Sequence, residues 1–145
     1  MAVKVKSITL WRRDTENRPG TLASALEPLA RAGANLRVVM GYRFAGDDPR
    51  AAVELYPVTG KKSTAAAREA GLSASSIPTL LVEGDDRPGL GHAISRATAG
   101  AGINLAFMVG QVIGRRFSAI VGFETPADAK KASGLIKKAT GRAKK

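Results

Sequence analysis

"ENRPGTLASALEPLARAGANL" runs from Glu16 to Leu36, and "DDRPGLGHAISRATAGAGINL" from Asp85 to Leu105. The two stretches match at a constant offset of 69 residues, without a gap. Arg18/Arg87, Pro19/Pro88, Gly20/Gly89, Gly33/Gly102, Asn35/Asn104 and Leu36/Leu105 are identical pairs, as are Ala30/Ala99, Ala32/Ala101 and Gly41/Gly110. A self-match at fixed period marks a duplicated structural unit. The chain of 145 residues therefore divides into residues 1–76 and 77–145, the second ending in a basic tail. A unit of this size buries a modest core and is marginal alone, so the halves are expected to share a sheet or an interface.

The element order follows from periodicity. Val3 to Trp11 alternates as a strand. After the Arg-Pro-Gly turn, Leu22, Leu26 and Leu29 form one helix face, with Pro28 predicting a bend or an early end and Gly33 the stop. Leu36–Phe44 and Ala51–Val58 read as strands around a turn cluster, Ala45–Pro49. Lys61–Ala70 reads as a helix. Ser73–Ser76 is the linker candidate, with a short strand near Ala74–Ile77. The second half repeats the order: strand Ile77–Glu83, helix Leu90–Ala101, strand Ile103–Ile113, turn Gly114–Arg115, then alternating Phe117, Ala119, Val121 and Phe123. A last helix opens with Thr125 as cap and Pro126 in its first turn. Strand, helix, strand, strand, helix is the split βαβ, ferredoxin-like order of an α+β fold, with antiparallel sheets and helices on one face. The second unit stops before a fourth strand, which leaves a sheet edge open or covered by another segment.

The repeated turn carries the chemistry. Proline fixes the approach of the chain, and glycine lets a strand turn sharply into a helix. The first amides of that helix have no partner within it and, with the helix dipole, suit an anion. Asn35 and Asn104, 15 residues past each glycine, offer a donor and an acceptor. An acid site beside an amide suits an α-amino acid. The same residues serve equally as a turn glycine and a strand-entry asparagine.

These residues resemble the signature of the ACT domain, the small βαββαβ regulatory module of amino-acid metabolism. The resembled pattern is an acidic residue or Asn, then Arg-Pro-Gly, an apolar helix, and Gly-x-Asn-Leu. It covers both repeats, so the chain resembles a free-standing tandem ACT protein. The resemblance implies an amino-acid ligand held at an interface between two ACT units, a homodimer, a partner metabolic enzyme and no catalysis. It places ligand contacts at Thr15, Asn17, Arg18, Pro19, Gly20, Thr21, Leu22, Asn35 and Leu36 in the first repeat. In the second it places them at Gly84, Asp86, Arg87, Pro88, Gly89, Leu90, Gly91, Asn104 and Leu105. Serine-binding members carry histidine where this chain has Thr15 and Gly84, and Asp86 stands where the first repeat has Asn17. The two sites are therefore expected to differ.

Other chemistries find little support. The chain has no cysteine and one histidine, His92, which excludes thiolate sites and the common histidine metal sites. No metal or cofactor is expected. "TGKKST", Thr59–Thr64, lacks the first glycine of a phosphate-binding loop, since Leu55 stands there. No apolar run approaches a membrane span, and the start lacks a secretory pattern, so a cytoplasmic protein is expected. The net charge is +11, of which +6 falls between Pro126 and Lys145. That tail suits non-specific phosphate contacts, but aromatics for base stacking are few, at 5%, so nucleic acid is not the expected partner. Two other readings stay open: a ligand-free docking or oligomerisation module, and a basic nucleic-acid-binding module.

Overall fold

A computed structural model describes residues 3–141. Its elements are β1 (Lys4–Ile8), β2 (Trp11–Glu16), α1 (Thr21–Arg31), β3 (Val38–Phe44), β4 (Asp47–Tyr56), α2 (Gly60–Glu69) and β5 (Ser73–Ala74), followed by β6 (Thr79–Asp85), α3 (Leu90–Gly100), β7 (Leu105–Ile113), β8 (Arg116–Phe123) and α4 (Pro126–Thr140). They form two antiparallel sheets, β3-β4-β2-β5 and β1-β6-β8-β7. One compact unit is Thr9–Ser76; the other joins Met1–Ile8 to Ile77–Lys145. The Thr9–Ser76 unit runs βαββαβ, the order of the ferredoxin-like class, and the other unit reaches the same four-stranded sheet with β1 in place of a last strand.

The N-terminal strand departs from the expectation. Val3–Trp11 is not one strand of the first unit. It splits at Thr9 and Leu10, and β1 zips onto β6, with Val5 opposite Val82 and Ile8 opposite Thr79. β6 is buried along most of its length. A central strand needs a partner on each side, and β8 supplies only one. β1 thereby fills the edge that the second repeat leaves without a strand of its own. Lys4 and Lys6 on β1 are exposed, which discourages further strand addition at that edge. The first sheet closes differently: β5 pairs with β2, Trp11 opposite Ala74. Part of the expected linker is thus a strand.

The helix ends follow from glycine. Gly20 and Gly89 are N-caps at φ 85° and 86°, where a Cβ would be strained. At the other ends Ala34 N donates to Leu29 O at 3.0 Å, Leu72 N to Ala67 O at 2.9 Å and Ile103 N to Thr98 O at 3.0 Å. Each is the long bond of a Schellman motif around Gly33, Gly71 or Gly102. Helix α1 continues past Pro28 to Arg31. The turn between β3 and β4 is only Ala45–Gly46, and β4 starts at Asp47, earlier than the composition suggests.

One core gathers Ala25, Leu29, Val53, Leu55, Ala67 and Leu72, the other Val82, Leu90, Ile94, Phe117, Val121, Phe123 and Ile136. In both, alternate strand residues meet the helices on one sheet face. Leu22, expected in the helix's buried face, is 39% exposed. Of the basic tail, Lys130, Lys131, Lys137 and Lys138 lie exposed on α4. Arg142, Lys144 and Lys145 fall outside the described residues.

Candidate functional site

The first glycine bend lies between the end of β2 and the start of α1. Asn17 N donates to Pro49 O at 3.0 Å, tying the turn to β4. Thr21 Oγ1 donates to Arg18 O at 3.0 Å and to Glu16 O at 3.2 Å, which closes the turn from inside. Thr21 N donates to Arg18 O at 3.4 Å, and no side chain caps α1, so the Leu22 and Ala23 amides remain available to an acceptor. A Cβ built on Gly20 would meet nothing within 4 Å, and the same holds at Gly89.

A cavity of about 260 Å³ opens at the first bend, lined by Thr15 to Arg18, Thr21 and Leu22, by Gly41, Tyr42 and Arg43 of β3, and by Ala51 to Val53 of β4. A Cβ on Gly41 would come 3.3 Å from Leu22 Cδ2. Glycine there lets Leu22 lie against the strand as an apolar wall. Arg18 pairs with Glu16 at 3.2 Å, both well exposed. With Arg43 the lining carries two guanidinium groups and one carboxylate. That set, beside a helix N-terminus, favours an acid group and leaves Glu16 for an ammonium. Tyr42 directs its hydroxyl elsewhere: it donates to Glu54 Oε2 at 2.8 Å and accepts from Arg12 Nη1 at 3.1 Å. Burial first, then the bond to Glu54, push the Tyr42 hydroxyl above its usual pKa. Glu54 is 1% exposed, and its Oε1 has no hydrogen-bond partner.

The structure thus gathers Thr15, Asn17, Arg18, Thr21 and Leu22 at one cavity, with Pro19 and Gly20 in the same turn. It does not bring Asn35 or Leu36 there. Arg37 N donates to Tyr56 O at 2.8 Å, while Thr15 lies opposite Ala51. Five strand residues at roughly 3.3 Å each separate those positions, so Asn35 stands at the far end of the unit. Leu36 packs on the core. Glu16, Gly41, Tyr42 and Arg43 were missed by sequence reasoning; the Gly41/Gly110 identity was their only signal.

The second repeat is built otherwise. Gly84 is buried, and a Cβ on it would meet Val3 Cγ1 at 2.8 Å. Leu90, at the position of Thr21, sits in the core at 2% exposure. Arg87 donates to Thr140 O of α4 at 2.9 Å. Pro88, Gly89 and Asp86 lie exposed in the turn, and Gly91 replaces Leu22. Asn104 and Leu105 lie at the Phe123 end of the sheet, away from Gly84, which faces Phe117. Three of the carried-over positions, Gly84, Leu90 and Arg87, thus have structural jobs in this repeat. Among the described residues no His, Cys, Asp and Glu cluster suits a metal, and no helix is long and apolar enough to cross a membrane.

No protein-family model matches the chain, and no curated protein sequence matches it. Solved structures do. A Bacteroides thetaiotaomicron protein superposes with a TM-score of 0.72 at 15% identity, covering 92% of this chain and 89% of its own. The regulatory subunit of aspartate kinase from Thermus thermophilus, in its ligand-free form, gives 0.62 at 17% identity, covering 96% and 97%. Clostridium acetobutylicum aspartate kinase, an allosteric enzyme, gives 0.59 at 17% identity over 95% of this chain and 34% of that one. The likeness is one of fold: these structures share with this chain, at 15–17% identity, its pair of ferredoxin-like α+β units in tandem.

Proposed function

We propose that this chain is a non-catalytic regulatory protein that binds a small amino-acid-like ligand at the first glycine bend and signals to a partner metabolic enzyme. One observation carries the reading: the 260 Å³ cavity at an uncapped helix N-terminus with Arg18, Arg43 and Glu16 around it. The carboxylate sits at the α1 amides and the arginines, and the ammonium meets Glu16. The likeness in fold to a separate regulatory subunit of aspartate kinase supports control in trans. Asn35 lies far from the bend within its own unit, so it joins the ligand only from a neighbouring unit. A cytoplasmic homodimer that tightens on binding is the form this implies. The second bend, with Leu90 and Gly84 committed to packing, is the weaker site.

A thermal-shift panel of the amino acids tests this. Binding at a hundredfold excess over Kd adds about 2.7 kcal/mol. At least one amino acid is expected to raise Tm, and Arg43→Ala is expected to weaken that ligand about tenfold, the scale of one charge-assisted hydrogen bond. A flat panel favours a ligand-free docking module.

A further inference from the structure

A second cavity, of about 360 Å³, lies in the other unit, lined by Ser7, Pro78, Leu80, Pro126, Ala129, Lys130 and Ser133. The repeat supplies a reference for it. At the 69-residue offset Leu80 falls on Trp11, Pro126 on Pro57, Lys130 on Lys61 and Ser133 on Thr64. Ser7, the β1 neighbour of Leu80, takes the place of Ala74, the β5 neighbour of Trp11. In the Thr9–Ser76 unit the indole of Trp11 packs on the core cluster that Val58 and Ala66 flank. One repeat thus packs an aromatic ring on its core at the position where the other has a leucine lining a cavity.

The rim is polar and asymmetric. Lys130 is exposed and makes no ion pair among the described residues. Ser7 of β1 and Ser133 of α4 line it from the strand and from the helix. The amides opening α4 are not the anchor, because Asp128 N already donates to Thr125 Oγ1 at 3.0 Å and the Asp128 carboxylate sits in that turn. A cation at Lys130 above an apolar floor of Leu80, Ala129 and two prolines selects for a ring with a charge at its edge.

We propose that this cavity binds a small planar aromatic molecule bearing one anionic group, its ring over Leu80 where the other repeat places Trp11 and its anion on Lys130. Ser7 and Ser133 orient the anion. The site is separate from the first bend and does not depend on that bend's ligand.

Indole-3-acetate is the probe, titrated into the full chain and followed by amide NMR. Saturable shifts are expected at Leu80, Ala129, Lys130 and Ser133, whereas an amino acid at the first bend shifts Asn17 to Leu22. Lys130→Ala should weaken binding about tenfold, and uncharged indole should bind the wild type correspondingly worse. Leu80→Trp installs the ring used by the other repeat and should abolish binding while the rest of the spectrum is retained. If that variant does not fold, Lys130→Ala and the rim change Ser133→Val decide. The proposal is overturned by no saturable shifts, by shifts confined to other residues, by unchanged affinity in Leu80→Trp, or by unchanged affinity in both Lys130→Ala and Ser133→Val.

Discussion

Replacing Gly84 by alanine separates two reasons for a glycine at that position. Gly84 does not carry a positive φ, so its backbone accepts an L side chain. At such a site Gly→Ala normally stabilises by about 0.4–1 kcal/mol through the unfolded chain. Here a Cβ would lie 2.8 Å from Val3 Cγ1, 3.0 Å from Val3 Cα and 3.2 Å from Val3 Cβ. The nearest atom is a methyl at the end of a short branched side chain, and the next is backbone, so β1 itself must move. Overpacking of this kind costs about 1–3 kcal/mol. The net expectation for Gly84→Ala is a loss of about 1–2 kcal/mol, or roughly 3–8 °C in Tm for a chain of this size. Circular dichroism melts read the loss, and hydrogen exchange locates it, with faster exchange at the β6 amides that pair with β1. Val3→Ala in the same chain should return part of the stability by removing the methyl contact, a coupling that a double-mutant cycle isolates. A Tm for Gly84→Ala equal to or above the wild type would refute the packing of β1 on β6 and leave ligand clearance as the reason for the glycine.

Other expectations are simpler. Thr125→Ala removes the acceptor for Asp128 N and should cost about 1 kcal/mol, seen as a lower melting temperature and fraying of α4 by hydrogen exchange. Tyr42→Phe leaves the buried Glu54 Oε2 with only Arg12 at 3.7 Å and should destabilise by about 1–3 kcal/mol in denaturant melts. The folded Tyr42 hydroxyl titrates above its unfolded value of 10.0. Its contribution is therefore fully present below pH 10 and lost as pH rises through the folded value. Urea midpoints taken from neutral to alkaline pH should fall more steeply in the wild type than in Tyr42→Phe, and equal slopes would sink the assignment.

The duplicated turns were legible because their constraints are local. A glycine forced to φ 85° at Gly20 recurs at φ 86° at Gly89, and the Schellman ends at Gly33 and Gly102 recur with it. What a strand pairs with is not local. Nothing in the alternation of Val3–Trp11 records that its first half pairs with Leu81 and Val82 and its last residue, Trp11, with Leu55 of another sheet. The candidate site shows the same division. Thr15 and Asn17 to Leu22 were visible as one turn, whereas Gly41 and Arg43 reach it only through the β3–β4 register. Leu90 and Arg87 match the motif in sequence yet serve packing and the end of α4, since a motif fixes backbone shape more firmly than side-chain employment. Leu22 has the spacing of a core leucine and instead walls a cavity, because Gly41 opposite it offers no side chain to pack against.

The pairing of β1 with β6 makes residues 9–76 a removable cassette. Ile8 and Thr79 face each other across the ladder. Joining Ile8 directly to Ile77 would therefore turn β1 and β6 into an ordinary hairpin with Ile77-Pro78 as its two-residue loop, a connection that Asn-Gly would serve better. The same wiring sets an order during synthesis. During synthesis β1 has to wait for the 70 residues between Ile8 and Thr79 before its partner emerges, while the cassette between them already holds every strand its own sheet requires.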